Sequence, residues 1–347
     1  MTHRFPIKEI ARQAGLGTAT VDRVINNRSN VSPQTRKRVE LALRELKAQE
    51  AQLVAKGRRV FMDVLAEAPK RFSREIRLAA ETALRMIPSA AIRVRFQFQE
   101  VMTEAETLTA LERIARRGSQ GVCLKVRDTP AIRDQIAALE GANIPVFTLV
   151  TDLPGSARRG YFGLDNAQAG RIAAYLIAQS LPYQRSTVLT SRSQNSFRGE
   201  TDRFTAFRDE LNRLRPCVTL VDVAGGAGVS MTTGKTLESV LAGVDSVAAV
   251  YSMGGGNAAI LRKLAEYRQH PSVFVAHDLD IENRHLLAKG MISFVLNHDL
   301  QQDMHKLFQM ACDTSPSGLL DVAKGSSEIS IMTPYNLPPI PDWRVSK

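Results

Sequence analysis

The sequence predicts an α/β protein built from two unlike parts: an N-terminal three-helix unit, and a two-lobed body of parallel sheets flanked by helices. Three observations carry that expectation. Positive charge is concentrated at one end of the chain, the first 47 residues show only helical periodicity, and from Arg59 onward short β-rich runs alternate with helical stretches. At 347 residues the chain also exceeds what one hydrophobic core organises. The expected division is a helical unit over 1–47, a linker over 48–59 and the two-lobed body over 60–347.

The whole chain has 46 Lys and Arg against 35 Asp and Glu, a net charge of +11. Residues 1–60 alone hold thirteen bases against five acids, a net +8, so the remainder is nearly neutral. A basic head on a neutral body reads either as a polyanion-binding module or as a solvated basic face, and the pattern inside the segment decides between them. With 44% hydrophobic and 23% charged residues and a mean hydropathy of -0.15, disordered and fibrous classes are excluded. No run approaches eighteen apolar residues, and MTHRFPIKEI has no apolar export core, so neither a membrane span nor a signal peptide is expected and the expected location is cytoplasmic. Cys123, Cys217 and Cys312 lie far apart and odd in number, which suits reduced structural thiols.

In the head, Pro6 suits a first helical position, and Ile7, Ile10, Ala11 and Ala14 follow at i, i+3, i+4 and i+7 before Gly15. After the short Gly15-Leu16-Gly17 link, Val21, Val24 and Ile25 share one face of a second helix. Thr18, Ala19, Asp22, Arg23 and Asn26 occupy the other. A third helix starts with Ser32 as cap and Pro33 at N1, then runs through Val39, Leu43 and Leu46. Two short helices around a glycine turn, followed by a third, make a helix-turn-helix whose second helix fits a DNA major groove.

The stretch IKEIARQAGLGTATVDRVINN, followed by VSPQTRKRVELAL, resembles the head of lactose-repressor (LacI) type bacterial transcription regulators over residues 6–46. That resemblance implies that Thr18 and Ala19 face base edges and that Arg23 reads guanine. Thr20, Asn26, Asn30 and Thr35 then grip phosphates. Side-chain chemistry agrees, since arginine donates two bonds to guanine O6 and N7 while small hydroxyls and amides bond phosphate oxygens. The less favoured alternatives are Thr20 as a packing residue beside Val21 and Asn26 as a helix C-cap.

Two departures from the family pattern stand out. Asp22 replaces a small hydroxyl residue, so its carboxylate either accepts from cytosine N4, orients Arg23 or repels phosphate. The linker reads Ala48-Gln49-Glu50-Ala51-Gln52-Leu53-Val54-Ala55-Lys56-Gly57, without the family's proline. Leu53 is either an apolar wedge for the minor groove or a continuation of the third helix.

In the body, β-rich runs fall at Val60–Leu65, Ile92–Phe98, Gly121–Val126, Val146–Val150, Thr187–Thr190, Val218–Val223, Ala248–Tyr251, Val273–Ala276 and Ile292–Leu296. Intervening helical runs imply parallel sheets, and so many units partition naturally into two lobes. This portion is similar, more loosely, to the ribose-binding type of periplasmic sugar receptor, through Ile144-Pro145-Val146, Gly163-Leu164-Asp165-Asn166 with Gly170, and Asp278. The same fold forms the effector domain of LacI-type regulators.

Ligands of open α/β sheets sit beyond the carboxyl ends of strands. On that rule the candidates are Phe72, Asp152, Arg203, Ser252, Asn257, Asp278 and Asn297. Carboxylates, an arginine and amides bond cyclic hydroxyls, and an aromatic ring covers the apolar face of a sugar, so the set suits a neutral sugar or polyol. The resemblance implicates Arg203, Asp278 and Asn297 most closely. Ser252 stands where many members of the family have asparagine.

Several patterns point elsewhere and fail on spacing. Gly228 to Thr236 imitates a phosphate-binding P-loop but has five residues between its glycines instead of four. Gly254-Gly255-Gly256 lacks the GxGxxG spacing of dinucleotide sites and reads as close backbone approach at a cleft. The six histidines form no HExxH or paired set, so neither a metal nor a cofactor is expected.

The resulting expectation is a homodimeric transcription regulator, a repressor, that binds a double-stranded operator and answers to a small sugar or polyol bound between the lobes. The alternative is a sugar- or nucleotide-processing enzyme with an accessory basic domain.

Overall fold

The computed structural model describes residues 5–26, 28, 31–56, 59–87, 91–193, 197–224, 237–312 and 327–339, with side chains of 47–59 excluded. They fall into two compact units, Met1–Val60 with Ile87–Arg93, and Phe61–Met86 with Val94–Lys347.

The head contains α1 (Ile7–Ala14), α2 (Thr18–Ile25) and α3 (Pro33–Lys56). Pro6 stands one residue before α1, with ψ 139°, rather than at its first position. Gly15 closes α1 at φ 61°, and Leu16 N–H donates back to the Ala11 carbonyl at 2.9 Å. This left-handed closure is one that glycine adopts without a Cβ penalty. Arg38 of α3 donates to the Ala14 and Gly15 carbonyls at 2.8 and 3.2 Å, placing a cation at the negative end of α1. Ser32 Oγ accepts from Thr35 N–H at 3.2 Å and caps α3 as its spacing predicts. Ile10, Ala11, Ala14, Val21, Val39, Ala42 and Leu46 close the head's core together with Phe5.

The third helix does not stop at the expected boundary. It continues to Lys56, so the backbone of 48–56 is helical where a linker is expected. Residues 34–56 contain neither glycine nor proline and are rich in Ala, Leu, Glu, Gln, Lys and Arg, which favour helix. Leu53 lies on this helix, and its side chain falls outside the described residues.

The first lobe of the body is built from β1 (Arg59–Glu67), α4 (Lys70–Arg85), β2 (Ala91–Gln99), α5 (Glu104–Arg117), β3 (Gly121–Lys125), α6 (Pro130–Gly141), β4 (Val146–Leu149) and β5 (Gly160–Phe162). Its strand order is β2-β1-β3-β4-β5. The pairs β1 with β3, β3 with β4 and β4 with β5 are parallel, for example Val64 opposite Cys123 and Leu124 opposite Thr148.

The second lobe follows with α7 (Asn166–Ser180), β6 (Ser186–Ser191), α8 (Arg198–Leu214), β7 (Val218–Val223), β8 (Ala249–Ser252), α9 (Asn257–Glu266), β9 (Val273–His277), α10 (Ile281–Ala288), β10 (Phe294–Asn297) and β11 (Ser330–Met332). The strand order is β11-β10-β9-β8-β6-β7, parallel except for the edge pair of β10 and β11. Between β10 and β11 the chain returns to the first lobe as α11 (Leu300–Cys312), which packs against α4.

All nine β-rich runs read from the sequence are strands; β5 and β11 were not expected. Each has three residues, too few to show an alternation. Parallel registers bring Glu67, Lys125, Ser252 and His277 to the carboxyl ends of their strands, which fixes where chemistry can gather. Helix starts are pinned by side chains: Asp165 accepts from Gln168 N–H at 2.9 Å, and Asp280 from Asn283 N–H at 2.8 Å. Helices α7 and α8 cross at Gly170, where a Cβ would fall 2.2 Å from the Arg203 carbonyl oxygen.

Candidate functional site

Of the head residues read as base- and phosphate-facing, those within the described residues lie on α2, at its C-terminal end or in the first turn of α3. Thr18, Ala19, Arg23 and Asn26 are exposed and Thr20, Asp22 and Thr35 partly so, over a fully buried Val21. Asp22 is committed within the head: its carboxylate accepts from Asn26 Nδ2 at 2.7 Å and meets Arg28 at 3.2 Å. Asn26 also donates to the Asp22 carbonyl at 3.0 Å and so acts as the C-cap of α2. The Thr35 hydroxyl lies 2.8 Å from that of Ser32. Asn30 lies outside the described residues, as does the Gly228 to Thr236 stretch.

In the body, a cleft opens between the carboxyl edges of the two sheets, the usual place for a ligand in an open α/β fold. Of the seven candidates, Phe72, Arg203 and Asp278 line it. Arg203 is buried at 4% exposure and held by Asn166 Oδ1 at 2.7 Å and the Met253 carbonyl at 3.1 Å. Asp278 follows β9 in a left-handed conformation, φ 63°, stabilised by Asn283 Nδ2 donating to its carbonyl at 2.8 Å. Aspartate is among the non-glycine residues that adopt this region most readily.

The other four candidates do not line this cleft. Asp152 organises its own loop, accepting from Thr148 Oγ1 and Leu153 N–H at 2.8 Å each and pairing with Arg158. Ser252 is wholly buried at the end of β8. Asn257 begins α9 and donates to Asn283 Oδ1 at 2.7 Å. Asn297 accepts from Leu279 N–H at 3.0 Å and borders a neighbouring depression shared with Phe72 and Asp278.

Sequence reasoning missed Lys125, Glu67, Glu200 and Phe197, all of which line the cleft. Lys125 ends β3, donates to the Glu67 carbonyl at 2.9 Å and lies 4.0 Å from the Phe197 ring centre. Burial pushes its pKa down to about 8, against the opposing pull of Glu200, Glu67 and Asp278. Glu67 receives a two-pronged contact from Arg127 at 2.9 and 2.7 Å. Glu200 accepts from Ser193 N–H at 2.7 Å and from its hydroxyl. His277 lies deeper, 2.8 Å from the Tyr251 hydroxyl, and burial holds its pKa well below the usual imidazole value, so it is neutral. The strand-end rule that selected Asp152 applies equally to Lys125; only the habit of reading lysine as exposed hid it.

Cationic donors, carboxylate acceptors and the rings of Phe72 and Phe197 thus meet in one cleft. The arrangement can hold a small hydroxyl-rich molecule from both sides.

Residues 65–313 match the family described as periplasmic binding protein domain. Residues 6–47 match the bacterial regulatory proteins of the lacI family. The HTH-type transcriptional regulator TreR of Salmonella typhimurium is 51% identical over 45 residues, which is 13% of this chain and 14% of that protein. Thus the likeness to that relative spans about a seventh of its length. Among solved structures, GanP, a glucose-galactose binding protein from Geobacillus stearothermophilus, superposes with a TM-score of 0.70 at 17% identity, covering 81% of this chain and 99% of GanP. A solute binding protein from Burkholderia graminis in complex with D-arabinose also gives 0.70 at 17% identity, covering 81% and 97%.

Proposed function

This chain belongs to the periplasmic binding protein domain family and carries a lacI-family head, and we propose that it is a DNA-binding transcription regulator, a repressor, controlled by a small sugar or polyol. The observation that carries the proposal is the union in one chain of that head, presenting Thr18, Ala19 and Arg23 outward, with a body whose lined cleft suits a hydroxyl-rich ligand.

In this reading α2 enters the major groove, Arg23 donates to a guanine, and Thr20, Asn30 and Thr35 hold the phosphate backbone, joined by Asn26 once one of its two N–H donors leaves Asp22. Asn26 and Asp22 form a preset pair, so the carboxylate positions the amide rather than contacting a base. One short helix reads only a few base pairs, so a two-fold homodimer on a palindromic operator supplies the rest. In the cleft, Asp278, Arg203, Lys125 and Glu200 bond ligand hydroxyls while Phe72 and Phe197 cover its apolar face. The body acts by binding, without turnover. A ligand that prefers one lobe arrangement changes operator affinity by about 5- to 150-fold, corresponding to about 1–3 kcal/mol of coupling.

The test is a gel shift of the full chain on the DNA upstream of its own gene, repeated with a panel of sugars and polyols. The proposal expects sequence-specific binding that one compound alters. Binding equally tight to shuffled DNA, or turnover of any panel compound, overturns it.

A further inference from the structure

The triple glycine Gly254-Gly255-Gly256 has a stricter requirement than close approach to a ligand. Gly254 and Gly255 line the cleft on the second lobe, and what they meet is protein. Gly255 stands at φ +88°, and a Cβ there would lie 1.8 Å from Arg71 Nη2; a Cβ on Gly254 would lie 2.5 Å from Ser193 N. Arg71 comes from α4, in the first lobe. Its Nε lies 2.9 Å from Asp280 Oδ2, and the side chains of this pair are 20% and 5% exposed. Asp280 is fixed in turn at the start of α10, where it accepts from Asn283 N–H. A guanidinium from one lobe therefore rests in a side-chain-free seat on the other and ends on a nearly buried carboxylate.

We propose that Arg71 is a latch that holds the lobes closed over the cleft, with Gly255 as its seat and Asp280 as its catch. This rests on the reading of the cleft as an effector site, and it adds a closing contact that does not run through the ligand. Two physical features support it. The Arg71–Asp280 pair, with side chains 20% and 5% exposed, is little screened by salt, so its attraction opposes separation of the lobes. Gly255 is glycine because φ +88° already disfavours a side chain, and the bare backbone this leaves lets the planar guanidinium approach. The contact sits beside Phe72 and Asp278, so a ligand meeting those residues lies next to the latch and biases the same closure.

The test measures lobe separation in the full chain without added ligand. Spin labels are placed at Glu112→Cys on α5 and Ala265→Cys on α9, both exposed, in a Cys217→Ser/Cys312→Ser background. Arg71→Met removes the latch, Gly255→Ala blocks its seat and Asp280→Asn removes the catch while keeping a good helix cap. Each variant is expected to raise the open population by about fivefold or more, the low end of ordinary coupling between sites. Arg71→Met with Asp280→Asn together should do no more than either alone. A distance distribution for Arg71→Met that overlays the parent, or additive effects of the pair, overturns the latch. Failure of the regulator reading would appear separately, as loss of sequence-specific DNA binding with the distance shifts intact.

Discussion

Replacing Lys125 by methionine should stabilise the body at neutral pH while damaging its cleft. Burial lowers the Lys125 pKa from 10.5 to about 8. A displacement of that size corresponds to about 3 kcal/mol of unfavourable energy for the charged, folded ammonium. Below pH 8 that cost is present in full. Between 8 and 10.5 the unfolded chain still binds a proton that the folded chain has released, so stability rises with pH, and above 10.5 the cost is gone. Methionine escapes the cost but leaves the Glu67 carbonyl without its donor and loses the contact with Phe197, together about 1–2 kcal/mol. The net expectation is a gain of about 1–2 kcal/mol at pH 7 that becomes a loss of similar size near pH 10.5. Urea unfolding of parent and variant at the two pH values reads the difference directly, and groups common to both proteins cancel. A gap between the two proteins that stays constant from pH 7 to 10.5 would refute the reasoning, because a lysine charged throughout gives no such change.

Three further outcomes follow from particular contacts. Gly170→Ala should lower the unfolding midpoint of the body by an amount equivalent to about 1–3 kcal/mol, since its methyl group meets the Arg203 carbonyl across the α7–α8 crossing; an unchanged melt means the helices separate freely. Arg38→Ala should cost the head about 1 kcal/mol, visible as faster amide exchange in α1, because the Ala14 and Gly15 carbonyls lose their donor. Asp278→Ala should remove the response of operator binding to the effector and spare operator binding itself; a preserved dose response places the ligand elsewhere.

Much of this architecture is visible in the amino-acid order because burial imposes periods. Parallel strands covered on both faces become continuous apolar runs such as Val146–Leu149, and Ile10, Ala14 and Val21 recur at helical spacing. Whether 48–56 continues the third helix was open in the sequence; residues 34–56 carry no helix breaker, and the helix runs through them. At the cleft, the strand-end rule found Arg203 and Asp278 but could not say which strand-end side chains turn outward. Ser252 and Asn257 turn into the core, and Asp152 is drawn aside by Arg158. Lys125, Glu67 and Glu200 gain their meaning only from partners that are distant in sequence. Arg71 is the extreme case, since its seat on Gly255 and its catch at Asp280 are about two hundred residues away.

The central claim is that the exposed face of α2 reads base sequence. Arg23→Ala tests it most directly, with affinity measured at one salt concentration on the upstream DNA of its own gene and on a shuffled duplex. The account predicts a loss of about 1–3 kcal/mol on the first and a much smaller loss on the second, as expected when an arginine contacts a base edge. Equal losses on both duplexes would reduce Arg23 to a phosphate contact and contradict the account.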